Sequence, residues 1–200
     1  MNLDNFDKKE IPELSVTLSK EDIKYLISNL KEKNNNLRYN SFLLLRAKSR
    51  DFEDVYDYFD TFKDMLTSKN SYHKHIAVYL IAENAKYSKK YDDNKFLYVL
   101  DRYLQCCKDE KYSTARQCIQ SIPIWIDHYP ELIEKIADYL INIDLTIFRE
   151  SGRGLVLYDI AKTIIYIRNI KSNDRIDDFL DDIINNERLD DKRLKELGMI

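Results

Sequence analysis

The sequence predicts an all-α fold. Three observations carry that prediction. The 200 residues hold only 3 glycines and 3 prolines, too few for the tight turns of an all-β protein. Apolar residues recur at helical spacing through most of the chain, and no period-two run is long enough for a strand. Hydrophobic residues make up 44%, enough for one sizeable core without disulfide or metal staples.

The elements follow in order. Residues 1–18 are polar and mixed, with Pro12 and the alternating Leu14-Ser15-Val16-Thr17-Leu18. They read as an extended lead-in lying along the first helices. Ser19 is an N-cap with Asp22 three residues on, ahead of Ile23, Leu26, Ile27 and Leu30 at helical spacing. Asn34-Asn35-Asn36 stops that helix. Further helices are predicted over 37–48, 53–67, 71–86, 93–107, 112–128, 131–142, 147–168 and 173–186. Residues 19–187 form the helical domain, and 188–200 read as a charged tail.

These helices are of two kinds. Some are almost free of charge through their middles: Phe42 to Leu45, Ile76 to Ala82, Gln117 to Ile126 and Thr163 to Ile167. Apolar cover on several sides means contact on several sides. Others are amphipathic. In 53–67, Val55, Phe59, Phe62 and Leu66 form one stripe, with Asp57, Asp60 and Asp64 opposite. In 173–186 the stripe is Ile176, Phe179, Leu180 and Ile183, and Asp174, Asp178 and Asp181 are among the aspartates filling the rest.

Central and outer helices that alternate are the mark of stacked helix pairs. Leu37, Tyr72, Tyr112 and Phe148 open successive central helices, 35, 40 and 36 residues apart. A small residue follows in three of them: Ser41, Ala77 and Gly152. The segment Leu37-Arg38-Tyr39-Asn40-Ser41 resembles the opening of a HEAT repeat, with an apolar residue, a basic residue and a small residue one turn later. Pro123 sits where first helices of HEAT repeats are often kinked. Tyr72-His73 and Tyr112-Ser113 lack the arginine. The resemblance is to the HEAT/armadillo group of helical repeats. It implies an α-α superhelix, a solenoid of about four to five helix pairs, and a protein-binding scaffold as the role.

Charge and cysteines narrow the function. With 32 Lys+Arg against 35 Asp+Glu, the net charge is −3, so no basic surface announces a nucleic-acid binder. The longest stretch free of Lys, Arg, Asp and Glu is Gln117 to Ile126, about half a membrane span. The first ten residues lack the pattern of a signal peptide. Cys106, Cys107 and Cys118 are odd in number and two are adjacent, unlike a secreted disulfide framework. A cytoplasmic protein is expected, with no cofactor and no metal. His73 and His75 are two apart and face different sides of a helix, so they make no helical zinc pair.

Two candidate sites remain. The aspartates Asp57, Asp60 and Asp64, with Asp174, Asp178 and Asp181, form acidic outer faces suited to a basic protein partner, as in an inhibitor or immunity protein or an adaptor. Trp125 with Asp127 invites comparison with the HEAT-like alkylpurine DNA glycosylases, which use aromatic and acidic residues on a basic face. The acidic segments 53–64 and 172–191 oppose that reading, since DNA binding needs several phosphate-neutralising cations. Arg149 and Arg153 near Gly152 and Gly154 suggest a phosphate-binding turn. The absence of a preceding strand favours a helix start with glycines for close packing.

Overall fold

The computed structural model describes Leu3 and residues 7–200; Met1, Asn2 and residues 4–6 lie outside it. Among the described residues the chain is all-helical, with no strand. The α-helices are α1 (Ile11–Thr17), α2 (Lys20–Asn29), α3 (Asn35–Asp51), α4 (Phe59–Met65), α5 (Ser71–Tyr91), α6 (Lys95–Gln105), α7 (Tyr112–Ser121), α8 (Ile133–Ile141), α9 (Glu150–Ile170), α10 (Asp174–Asn185) and α11 (Asp191–Glu196). They form two compact units, Met1–Tyr103 and Leu104–Ile200.

In the first unit, α3 and α5 pack on each other, α1 and α2 cover α3, and α4 covers α5. Local side-chain caps start α2, α3 and α5. Ser19 and Asp22 close a capping box on α2. The Asn34 side chain accepts from the backbone of Asn36 and Leu37, and that of Asn70 accepts from Tyr72. The charge-free middles of α3 and α5 are buried at Phe42, Leu44, Leu45 and throughout Ile76 to Ala82. Polar side chains inside this contact find partners, except that Asn84 Oδ1 is buried with none among the described residues. Asn29 donates to Ser41 Oγ at 3.2 Å, and Asn84 donates to Ser49 Oγ at 3.0 Å. Across the same contact, Arg46 Nε lies 2.8 Å from Glu83 Oε1, with Arg50 Nε at 3.4 Å.

In the second unit, α7 packs on α9, and α8 and α10 cover α9. Arg116 Nε meets Asp159 Oδ2 at 2.5 Å, and Gln120 donates to the other carboxylate oxygen at 3.0 Å. Gly152 lies against Tyr112, where an added Cβ would sit 2.6 Å from the ring's Cγ. That close approach is the role expected of the glycine. Gly154 has only Arg193 Nη1 nearby, at 3.8 Å, and makes no such approach. Arg153 donates to the carbonyls of Phe148 and Thr146, so it braces the start of α9.

Three expectations are corrected. The supposed extended lead-in is helical over 8–17, a 3₁₀ turn followed by α1; its residues 1, 2 and 4–6 lie outside the described residues. Pro12 sits in the first turn, where a missing N–H costs nothing, and Leu14 and Leu18 are spaced for a helix. The lead-in does lie along α3: Asn40 donates to Leu3 O and Lys48 to Val16 O. The helix expected over 112–128 is not kinked at Pro123 but ends at Ser121. Three 3₁₀ turns carry the chain to α8. Proline lacks the N–H and crowds the carbonyl four residues back, so α-geometry stops there. The charged tail 188–200 contains α11, capped by Asp190 and anchored by buried Leu189 and Leu194.

Two outcomes test this packing. Arg116→Met strands the buried Asp159 carboxylate and should cost about 3–5 kcal/mol in urea unfolding. Adding Asp159→Leu removes the stranded charge and should recover most of that loss. Separately, Gly152→Ala should destabilise by about 1–3 kcal/mol, since Tyr112 is met close to its backbone. Gly154→Ala has room and should stabilise by about 0.5–1 kcal/mol.

Candidate functional site

The first candidate is the acidic faces. Asp57, Asp60 and Asp64 are all exposed. Asp57 lies in the 3₁₀ turn Tyr56–Tyr58, and the other two lie on α4, with Phe59, Phe62 and Met65 buried beneath. Spacings of three and four put them on one stripe. Asp60 pairs with Lys63 at 2.6 Å, which holds its carboxyl below the usual range and raises the lysine. Asp57 and Asp64 have no ion pair among the described residues.

On α10, Asp174, Asp178 and Asp181 are exposed, again at spacings of four and three. The neighbouring aspartates are occupied. Asp177 pairs with Arg168 at 2.7 Å, and Asp182 pairs with Arg188. Arg175 is drawn away to Asp138 at 3.1 Å. The three predicted aspartates thus keep their charge without a cation among the described residues. Asp174 also stands in the first turn of α10, where a carboxylate suits the helix dipole.

Trp125 and Asp127 are not brought together. Trp125 is fully buried and meets Tyr129 edge-on, with ring centroids 6.2 Å apart. A base has no access to its face. Asp127 is exposed and accepts from Tyr166 Oη at 2.7 Å, which pushes that phenol up to about 12.

None of the three cysteines is in a disulfide and all are buried, with Cys107 Sγ 3.3 Å from Cys118 Sγ. His73 bonds Ser68 Oγ at 3.0 Å. No three His, Cys, Asp or Glu side chains converge for a metal among the described residues.

Sequence reasoning missed a cavity of about 260 Å³ in the first unit. It opens where α3 and α5 begin. Tyr39 and Tyr72 flank it, 44% and 59% exposed. Phe42 and His75 lie deeper, with centroids 5.6 Å apart in edge-to-face contact. Arg38 lines it, with its guanidinium carbon 4.8 Å from the centroid of Tyr72. Burial, and then the Arg46 charge, lower His75 to about 4, so it is neutral at pH 7. A signal existed: Tyr39 and Phe42, and Tyr72, His75 and Tyr79, repeat at helical spacing. Such stripes read as core until the exposure of their first members is known.

Comparison with models of known families, with curated proteins and with solved structures finds no match.

The histidine has a measurable consequence. Its folded value lies below the ordinary 6.5, so between about pH 4 and 6.5 the unfolded chain holds the extra proton. Stability should therefore fall as pH drops through that window and be unaffected by this group above it. In His75→Phe, the loss between pH 6.5 and 4 should be smaller by on the order of 1–3 kcal/mol. Denaturant titrations at the two pH values check this.

Proposed function

We propose that this chain is a non-enzymatic protein-binding module whose acidic helical faces dock a basic protein surface. The observation that supports it best is the state of the aspartates on α10. Every arginine in 168–188 pairs with another carboxylate, leaving Asp174, Asp178 and Asp181 as an uncompensated exposed stripe. In the stripe on Asp57, Asp60 and Asp64, Asp60 pairs with Lys63 and also feels the charge of Lys95. An inhibitor or immunity-type protein, or an adaptor, would use such faces.

The finer architecture belongs to the same proposal: HEAT-like helix pairs continuing as a right-handed superhelix of about four to five pairs. The alternation of charge-free and amphipathic helices supports it, as do the burial of Ser41 and Ala77 and the close approach of Gly152 to Tyr112. No helix among the described residues is long and apolar enough to cross a membrane. Reduced, buried thiols fit a cytoplasmic setting. A DNA-glycosylase role would need an accessible aromatic, and buried Trp125 does not supply one.

The experiment uses a partner captured by the intact chain and then purified. Opposed charge acts mainly on association and is screened over about 8 Å at 0.15 M salt. The on-rate should fall as salt rises. Reversing Asp57, Asp60 and Asp64 to lysine, or Asp174, Asp178 and Asp181, should slow association about tenfold or more while changing dissociation far less. If neither triple reversal alters the kinetics, the aspartates serve only solvation.

A further inference from the structure

The cavity at the start of α3 and α5 carries a charge that the chain itself does not answer. Arg38 is only 6% exposed. Its guanidinium donates to Glu32 O at 2.8 Å and to Asn35 Oδ1 at 2.7 Å, both neutral acceptors, and lies over Tyr72. These occupy two of its five N–H groups. No carboxylate pairs with it among the described residues. Other arginines between helices behave differently: Arg46 meets Glu83, and Arg116 meets Asp159. A desolvated guanidinium without a counter-ion is costly, and an incoming carboxylate removes the cost.

The surroundings add to this field. Two long helices, α3 and α5, turn their positive ends toward the cavity. Lys8 Nζ lies 5.0 Å from the ring centroid of Tyr39. The charges of Arg38 and Lys31 reach His73 and help lower it, second to burial. Half of the lining residues carry rings, Tyr39, Phe42, Tyr72 and His75, and these favour another ring at edge or face. Site and field together are complementary to an aromatic group with a carboxylate beside it.

Size and openness choose the source. At about 260 Å³ the cavity falls under the roughly 300–1,000 Å³ usual for small-molecule sites. Its flanking tyrosines are half in solvent, as an anchor pocket for one side chain would be. Tyr and Arg are also residue types that dominate binding energy at protein interfaces.

We infer that this cavity receives one aromatic side chain of a partner polypeptide, whose adjoining carboxylate pairs with Arg38. The inference rests on reading the chain as a protein-binding module. It adds a second, chemically opposite contact to the acidic faces.

The test is a titration of the full-length ¹⁵N-labelled protein with four probes, followed by amide shifts. The first is the peptide acetyl-Gly-Ser-Phe-Asp-Ser-Gly-amide. Two others replace its Phe by Ala or its Asp by Asn, and the fourth is free N-acetyl-phenylalanine. The Phe-Asp peptide should shift amides of 35–42 and 72–76 and bind at least tenfold tighter than either replaced peptide. Arg38→Gln should abolish the preference for Asp over Asn while retaining the ring. Should Arg38→Gln fail to fold, Tyr72→Ala carries the test, since its side chain is exposed; it should weaken the Phe-Asp peptide about tenfold.

Absence of shifts at millimolar peptide, shifts confined elsewhere, or equal affinity for Asp and Asn peptides overturns the inference. N-acetyl-phenylalanine binding as tightly as the peptide overturns the polypeptide occupant in favour of a small aromatic acid. The outcome separates from that of the aspartate reversals. Peptide failure with aspartate-dependent partner binding intact removes the cavity alone. Peptide binding with the reversals silent keeps the cavity and removes the acidic faces.

Discussion

Glu83 and Asp159 are buried carboxylates, and each is met by a guanidinium from the preceding charge-poor helix. Each pair locks two long helices within its own unit, α3 to α5 and α7 to α9. The attraction is large only because the carboxylates are desolvated, and desolvation would be prohibitive without the arginines. This sets the register of the contact. Sliding either helix by one residue would leave a charge alone in the core, so the surrounding apolar side chains have one arrangement to fill. Arg46 extends the constraint sideways, with its guanidinium carbon 3.9 Å from the ring centroid of Tyr79, beside His75.

The same logic distinguishes structural from receptive charge. Arg46 and Arg116 have their carboxylates inside the fold. Arg38 is more deeply buried, 6% exposed against 23% and 28% for the side chains of Arg46 and Arg116, and has carbonyl-type oxygens only. The aspartates of α10 divide in the same way. Asp177 and Asp182 close local ion pairs, whereas Asp174, Asp178 and Asp181 point their charge at solvent. Surface pairs such as these add little stability. Their effect is to decide which charges remain available outside. One region of the molecule is thus left acidic and another, separately, is left basic and aromatic.

The break after α7 shows how one residue redirects a core. Pro123 ends the α-helix, yet Ile122, Trp125, Ile126 and Tyr129 remain buried. Successive 3₁₀ turns keep apolar residues facing inward at spacings of three and four, while the run stretches from about 1.5 to about 2.0 Å per residue. Trp125 is placed by that path, deep against Tyr129, and Asp127 is turned outward to Tyr166. A tryptophan and an aspartate two residues apart in sequence therefore serve separate contacts.

Helical class, the helix starts at Ser19 and at Ser71, and the inward stripes of α4 and α10 were legible in the sequence alone, whereas Asn34, read as a stop, caps the next helix α3, and α2 has already ended at Asn29. Each depends on local hydrogen bonding or on a period of 3.6, both of which are written in neighbouring residues. The exposed aspartates were legible for the same reason, since a charge opposite an apolar stripe must face water. The helical start at 11–17 and the helix in the C-terminal segment were not. Short segments owe their helicity to what they pack on, here α3 for one and buried Leu194 for the other. The cavity belongs wholly to the tertiary structure. Arg38 and Tyr72 are 34 positions apart, and only the packing of α3 on α5 makes them neighbours. Whether a guanidinium finds a carboxylate or a carbonyl is likewise decided by that packing, because a partner in space leaves no mark on residue spacing.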